Sequence, residues 1–251
     1  MFTPEYREQL RSLLLARAAN DARLSASAIT GSAAAARLDR WSDIDLAFAV
    51  RANTDLSDAL SDWTDSMYTT HGAVHHVDVQ AGAWTYRVFL LANSLQVDLA
   101  FVAEEEFRAL SPEFQLVTGV AQEAQHMPPP PAEYLIGFGW LYALHARSSI
   151  ARGKKWQAEY MISGMRDTAL ALACLRHGLP AAHGRGLHQL PAEVANPFSE
   201  TLVRSLDAAE LWRAFTAGLE LLVREIQQVD AELASRLAPA LTLLSNRFFE
   251  H

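Results

Sequence analysis

Three aspartates in the first half of the chain have the residue type and the spacing of a metal site. Asp43 and Asp45 stand two apart in the segment Ser-Asp-Ile-Asp-Leu, and Asp98 lies in the apolar segment Val-Asp-Leu. Because residues two apart in a strand point to the same face, Asp43 and Asp45 are expected to project side by side. If the strand of Asp98 pairs beside them, three carboxylates meet, and their repulsion calls for cations. Hard divalent ions with oxygen ligands, Mg²⁺ above all, fit that need. The alternative is a solvated sheet edge.

Gly31 and Ser32 supply a second chemical feature, separated from Asp43 by ten intervening residues. A glycine between a strand and a helix lets backbone N–H groups approach an anion, and a serine hydroxyl can donate to a phosphate. A phosphate cradle beside metal-binding carboxylates is typical of chemistry on nucleoside triphosphates. The simpler alternative is an ordinary strand-to-helix turn with Ser32 as the N-cap.

The order of these parts resembles the DNA polymerase β-like nucleotidyltransferase superfamily. Its signature is Gly-Ser, about ten residues, Asp-x-Asp on a strand and a third acidic residue on a later strand. Ser42, directly before Asp43, also matches the Ser-Asp-x-Asp-Leu form. The motif spans about the first 105 residues. A small catalytic domain followed by helices is similar to the layout of the aminoglycoside and lincosamide nucleotidyltransferases.

The resemblance implies an adenylyltransferase that moves AMP from ATP, as co-substrate, to a hydroxyl of a small-molecule acceptor. It assigns Gly31, Ser32 and Ser42 to nucleotide binding. It assigns Asp43, Asp45 and Asp98 as catalytic residues and as the ligands of two Mg²⁺ ions. The acidic first half favours a cationic acceptor such as an aminoglycoside antibiotic, hence a link to antibiotic resistance.

Two other functions stay open. One is transfer of AMP to a protein, as in antitoxin-like members of the superfamily. The other is a non-catalytic nucleotide-binding or protein-interaction module. The run Ala33-Ala34-Ala35-Ala36 stands where many members have arginine and glycine, which removes one phosphate contact. Metal-dependent binding of ATP separates an enzyme from such a module.

Lys154 and Lys155 are the only lysines among the 21 basic residues of the chain. They precede a predicted helix, where a compact ammonium group suits a triphosphate. We therefore predict that both bind the nucleotide, and the alternative is a solvated loop.

Glu159 shares a helix face with Lys155 and Arg166, and that face continues into apolar alanines. A charge on such a face is unfavourable unless it is paired or lies at a cleft. Glu159 is therefore a candidate general base, as is Asp98, or an anchor for a cationic acceptor. A structural ion pair within the bundle is the alternative.

The elements that must position these residues follow from hydrophobic periodicity. Helices are predicted over 4–20 and 55–70, the second with Asp55 as a cap. Strands are predicted over 24–30, 44–50, 74–79, 84–92 and 95–102. The sequence thus predicts an α+β nucleotidyltransferase catalytic domain at 1–127, with a mixed sheet flanked by helices.

A run of four prolines, residues 128–131, cannot continue a helix and marks the boundary between two predicted domains. Beyond it, helices are predicted near 132–152, 155–177, 207–228 and 230–248. The second domain, 132–251, is therefore expected to be a C-terminal α-helical bundle that binds the acceptor.

Composition narrows the classes of partner. The net charge is −8, and residues 1–131 carry 17 acidic against 9 basic side chains. This argues against nucleic-acid binding, which needs clustered basic residues. The apolar runs are too short for a membrane span, and the start has no apolar segment of a signal peptide. A single cysteine, Cys174, fits a reducing cytoplasm. The oligomeric state is not predicted.

Overall fold

The proline run separates two units, and each of them buries a hydrophobic core of its own. In the computed structural model, which describes residues 1–246, the units are Met1–Met127 and Pro128–His251. Each unit is described by itself below.

The first unit combines a six-stranded sheet with helices. Over residues 1–127, all of which the structure describes, the elements are α1 (Pro4–Asn20), β1 (Leu24–Thr30), α2 (Gly31–Ala34), β2 (Ile44–Val50), α3 (Leu56–Thr70), β3 (Ala73–Ala81), β4 (Trp84–Leu91), β5 (Gln96–Ala103) and β6 (Phe114–Thr118).

The sheet is mixed, as the sequence predicts. Its strand order is β3-β4-β5-β2-β1-β6. Strands β2 and β5 pair in parallel, and the other four pairs are antiparallel. Because β2 and β5 lie in the middle of the sheet, both are almost continuously apolar and buried. The carboxylates of the candidate site lie at the beginning of this central pair.

One face of the sheet is filled by large side chains. Phe48, Trp63 and Phe101 form a cluster in which the ring centroids of Phe48 lie 4.7 Å from Trp63 and 5.2 Å from Phe101. Trp63 comes from α3, and Leu10 and Leu14 of α1 join the same core. Tilted aromatic pairs of this kind add to the gain from burial. The core thereby holds β2 and β5 against α1 and α3.

Most elements predicted for this unit are confirmed to within one or two residues. Asp55 is the N-cap of α3, and its side chain accepts a hydrogen bond from the Ser57 amide at 2.8 Å. Strand β6 was not predicted. It is short, only partly buried and paired at the edge to β1, so periodicity within 114–118 does not reveal it.

The second unit is helical. Its helices in the described part of the chain are α4 (Ala132–Ala151), α5 (Lys155–Arg176), α6 (Ala192–Ala195), α7 (Ala208–Val229) and α8 (Ala231–Leu244). The buried faces of α4, α5, α7 and α8 meet in one core that includes Met165, Phe215 and Cys174. The helix predicted over 230–248 ends earlier, at Leu244, and the last two residues of that prediction lie outside the described residues.

The chain is therefore α+β, with a mixed sheet flanked by helices and then a C-terminal helical region, which confirms the predicted fold class. Among the described residues, none of the helices combines the length and the apolar character needed to cross a bilayer.

Candidate functional site

The parallel pairing of β2 with β5 brings the three aspartates together. Asp45 and Asp98 are direct partners in the register, and Asp43 stands immediately before β2. One carboxylate oxygen from each residue lies within 4.8 Å of the others. Segments separated by more than fifty residues thus place three acidic groups at one point.

Gln96, at the start of β5, links two of these carboxylates. Its amide nitrogen donates to Oδ1 of Asp98 at 3.0 Å and to Oδ2 of Asp43 at 3.3 Å. Burial raises the pKa of the Asp98 carboxyl to about 6, the hydrogen bond from Gln96 opposes this rise, and the charge of Asp43 adds to it. Ionisation of Asp98 is therefore less favourable than that of a carboxyl group in water.

Gly31 lies against the Asp45 side chain where β1 passes into α2. Its φ of +63° is the left-handed conformation that glycine adopts readily. A Cβ on this residue would lie 2.9 Å from Cγ of Asp45 and would overlap Oδ2. The position thus requires glycine both for its backbone conformation and for the close approach of the carboxylate.

The Ser32 hydroxyl is buried and has no hydrogen-bond partner among the described residues. Ser32 is not the cap of α2, because Thr30 occupies that position, so the N-cap interpretation of Ser32 is wrong. A buried hydroxyl without a partner is unfavourable in the isolated chain. Such a group beside a carboxylate cluster is available to a ligand.

The loop that enters Asp43 is held by a buried arginine of α1. Arg7 is 3% exposed, and its guanidinium donates to the backbone oxygens of Asp39 and Ser42. The Ser42 hydroxyl is also used inside this loop, because it donates to Asp39 Oδ1 at 3.0 Å and accepts from the Asp39 amide at 2.9 Å. Ser42 therefore shapes the approach to Asp43.

Arg7 and Gln96 are site residues that the sequence analysis missed. Gln96 stands two residues before Asp98, so the alternation of a strand already puts both on one face. Arg7 falls on the same stripe as Leu10, Leu14 and Ala18 of α1, where a buried charge needs a partner. These two patterns could have indicated Gln96 and Arg7, although neither pattern shows which groups the two side chains bond to.

The donor set fits a divalent metal. Three convergent carboxylates supply hard oxygen ligands and a negative charge that a divalent cation offsets. The orphaned Ser32 hydroxyl, next to the glycine packed against Asp45, fits a phosphate oxygen as its acceptor. Metal and phosphate binding are thus chemically compatible with these residues.

The remaining candidates belong to the second unit. Lys154 caps α5 and Lys155 begins it, and both side chains are exposed. Glu159 accepts a hydrogen bond from the Ser163 hydroxyl at 2.8 Å, while Arg166 pairs with its neighbour Asp167 at 2.8 Å. Glu159 and Arg166 therefore do not pair with each other, although they share a helix face.

A depression of about 360 Å³ lies next to Glu159 on this unit. Tyr142 and Tyr160 supply aromatic walls, and Ser163 and Asp167 supply polar groups. Gly164 allows the Tyr142 ring to pack directly on α5, since a Cβ there would lie 2.8 Å from the ring. Aromatic faces in a depression suit a cationic ligand, although the carboxylate of Asp167 is already paired with Arg166.

Comparisons with known proteins find a likeness in structure. No protein-family model matches the chain, and no curated protein matches it in sequence. The chain is similar to the crystal structure of an aminoglycoside 6-adenyltransferase from Bacillus subtilis, with a TM-score of 0.42 and 12% identity. The likeness covers 95% of this chain and 97% of that one.

Proposed function

We propose that the protein is a Mg²⁺-dependent nucleotidyltransferase that transfers AMP from ATP to a hydroxyl of a small-molecule acceptor. The observation that carries this proposal is the convergence of Asp43, Asp45 and Asp98 within 4.8 Å. The packing of Gly31 on Asp45 and the unpartnered Ser32 hydroxyl add the phosphate-binding part.

Each residue of the first unit has a distinct part in the proposed reaction. Asp43 and Asp45 would hold the two metal ions, and Asp98 would complete the ligand set. Bound divalent ions would stabilise the charge on the attacking and leaving oxygens. The Ser32 hydroxyl donates to a phosphate oxygen, and Ser42 keeps the loop before Asp43 in shape.

The chemical step is an in-line displacement. The acceptor oxygen forms a bond to the α-phosphorus, the bond from that phosphorus to the bridging oxygen breaks, and pyrophosphate leaves. The hydroxyl proton passes to Asp98 or to Glu159. Burial holds the pKa of Asp98 at about 6, close to the value that suits a general base at neutral pH.

The second unit is assigned to the triphosphate and the acceptor. Lys154 and Lys155 offer exposed ammonium groups to phosphate oxygens. The depression lined by Tyr142 and Tyr160 offers aromatic faces to a cationic acceptor, while its carboxylate, Asp167, is paired with Arg166. A substitution such as Lys155→Ala should raise the KM for ATP. An unchanged KM would show that Lys155 is a solvated residue with no role in nucleotide binding.

A transfer screen tests the proposal. The protein is incubated with ATP or GTP labelled on the α-phosphate, with Mg²⁺ or with EDTA. The acceptors are aminoglycosides, lincosamides and purified cell protein. We expect labelled product from a small cationic acceptor with Mg²⁺ only. Label on protein alone would favour transfer of AMP to a protein.

Calorimetry with matched variants separates an enzyme from a binding module. Asp43→Asn and Asp45→Asn should abolish Mg²⁺-dependent ATP binding and turnover without unfolding the protein. Asp65→Asn, an exposed change on α3, should leave both unchanged. ATP binding that ignores Mg²⁺, or full turnover in either site variant, would contradict the proposed function.

A further inference from the structure

Strand β3 forms one edge of the sheet and is unusually open. It runs for nine residues, Ala73–Ala81, without a lysine or a proline. Val74, Val77 and Val79 are each more than half exposed, at 56%, 55% and 51%. Edge strands are normally protected by lysine, proline, a cover or shortness, because their free backbone groups pair with other strands. β3 contains neither lysine nor proline, and it is not short.

The apolar surface of β3 continues onto β4. In the register of this pair, His75, Val77 and Val79 lie opposite Leu90, Val88 and Tyr86. Leu90 is 49% exposed, so the apolar strip is two strands wide at this edge. The one charged residue of β3, Asp78, is already offset by Arg87, whose nitrogens lie 2.6 and 2.7 Å from its oxygens. The edge is therefore not guarded by uncompensated charge.

The sequence of β3 is complementary to itself when it is read antiparallel about Val77. In that register Val77 meets Val77 of a second copy, and His75 meets Val79 on the same face. On the opposite face His76 meets Asp78, twice over because of the two-fold symmetry. Apolar pairs and hydrogen-bonded polar pairs directly across a ladder each stabilise the pairing, and a histidine ring nitrogen can donate to a carboxylate. His76 is already held by a 2.9 Å hydrogen bond between its Nδ1 and the Tyr68 hydroxyl.

The other edge of the sheet, β6, is less suited to pairing with a further strand. Strand β6 has five residues, and its pairing to β1 contains an irregularity at Ser27 and Ala28. A short, irregular edge is a poor template for pairing. The β3–β4 pairing also contains an irregularity, between Ala73 and His75, but the run His75–Ala81 pairs without interruption and is longer than the whole of β6. The longer edge is therefore the better surface for a partner.

We propose that the β3 edge is a homodimer interface. Two copies pair β3 against β3 in antiparallel fashion with Val77 on the two-fold axis, which joins two six-stranded sheets into one. The interface uses none of the residues assigned to metal or nucleotide, so it stands apart from the proposed function. We assign a second copy of the chain as the partner because the residues on both faces of β3 pair with those of an identical strand in a single register.

Site-directed cross-linking tests the register. Val77→Cys and Val79→Cys are matched in exposure and lie on the same face of the same strand. In the proposed dimer the Cβ atoms of the two side chains at position 77 lie about 5 Å apart, whereas those at position 79 are separated by roughly 14 Å. The one native cysteine, Cys174, is buried and does not interfere.

We expect a thiol cross-linker of about 5 Å reach to convert Val77→Cys to a covalent dimer and to leave Val79→Cys monomeric on a denaturing gel. Equal cross-linking of the two variants would overturn the register. Cross-linking of neither variant would overturn the interface, provided that circular dichroism shows both folded.

Sedimentation velocity of the full chain over a wide concentration range tests the interface itself. His76→Asp and His76→Lys both remove the contact with Tyr68, but only the first places like charges opposite each other in the dimer. We expect His76→Asp to raise the dimer dissociation constant about tenfold over His76→Lys. Equal constants, or a wild-type chain that stays monomeric throughout, would overturn the proposal. So would dissociation caused by Val120→Lys, an exposed change beyond the β6 edge.

Discussion

At the scale of single residues, the candidate site is a set of groups that the isolated chain satisfies poorly. Three carboxylates share one small volume, one of them is largely buried, and a nearby hydroxyl has no hydrogen-bond partner in the described chain. Each of these features opposes folding, and each is relieved by cations and phosphate oxygens. Substitutions here should therefore separate stability from activity.

Ser32→Ala is expected to stabilise the protein and to weaken nucleotide binding. Removal of a buried hydroxyl without a partner should raise the free energy of unfolding by about 1 kcal/mol. Loss of a donor to phosphate should raise the Kd for Mg²⁺-ATP about tenfold. Urea unfolding and calorimetry measure the two effects. Ser66→Ala on α3 is the control, and an unchanged Kd in Ser32→Ala would contradict the assigned role.

Asp98→Asn is expected to stabilise the protein in EDTA, and more so at higher pH. The folded pKa of Asp98 is about 6, above the usual value near 4, so the folded state binds the proton more tightly. The stability that this proton contributes is present at low pH and is lost as the pH rises through 6.

Asparagine removes the buried charge, so its advantage over aspartate should be absent near pH 4 and reach at most about 3 kcal/mol at pH 8. Denaturant titrations at the two pH values measure it. Asp65→Asn should show no such trend. An advantage for Asp98→Asn that is equal at both pH values would refute the burial argument.

At the scale of elements, the turn between β1 and α2 is as important as the strands. Gly31 combines a positive φ with direct packing on Asp45, whereas Gly82, with φ +60°, has nothing within 4 Å of an added Cβ. The two glycines therefore differ in surroundings but share the backbone strain that alanine would suffer. A comparison of alanine substitutions at the two positions therefore isolates the effect of the contact between Gly31 and the Asp45 carboxylate.

Gly31→Ala is expected to lower turnover about 100-fold, because an added methyl group displaces the Asp45 carboxylate. Gly82→Ala should lose only about 1 kcal/mol of stability from its left-handed backbone and keep full activity. Transfer assays together with thermal unfolding of both variants measure this. Equal activities would show that the approach of Gly31 to Asp45 does not matter.

Much of this element level could be predicted from the sequence, for identifiable reasons. β1 and β2 are bounded as predicted because turn and charged residues end their apolar runs. β6 was missed, since an edge strand of five residues is defined by its partner. Helical spacing placed Glu159 and Arg166 on one face but does not tell which residue an arginine pairs with, and Arg166 pairs with the adjacent Asp167.

The convergence of Asp98 with the other two carboxylates depended on the motif. Periodicity predicts each strand, but the parallel register of β2 and β5 is a long-range pairing that local pattern cannot determine. The supports behind the site were beyond prediction for the same reason. Arg7 and Gln96 act through contacts with residues 32 to 53 positions away.

At the scale of the whole molecule, the chain holds two separate cores. The sheet unit is built around Phe48, Trp63 and Phe101, and the helical unit around residues such as Met165 and Phe215. Each unit buries its own apolar surface, which is the physical requirement for folding alone. The proline run and the change in charge at the same place made this division visible in the sequence.

A fragment of residues 1–127 is expected to fold and to unfold cooperatively, because its core is complete. It should retain Mg²⁺-dependent ATP binding, since all three carboxylates lie within it. It should not transfer AMP to a small acceptor, which is assigned to the helical unit. Circular dichroism, calorimetry and the transfer assay measure these outcomes. Transfer at the full-length rate would remove the acceptor role of residues 128–251.

Arg7 has a consequence for how this chain is trimmed or fused in the laboratory. Its guanidinium braces the loop before Asp43 from the second turn of the first helix, a segment that a motif search would discard as a leader. A truncation that starts at the Gly-Ser pair would keep every signature residue and lose the brace beneath them. Such a product would keep the signature residues but would lack the hydrogen bonds that hold the loop before Asp43.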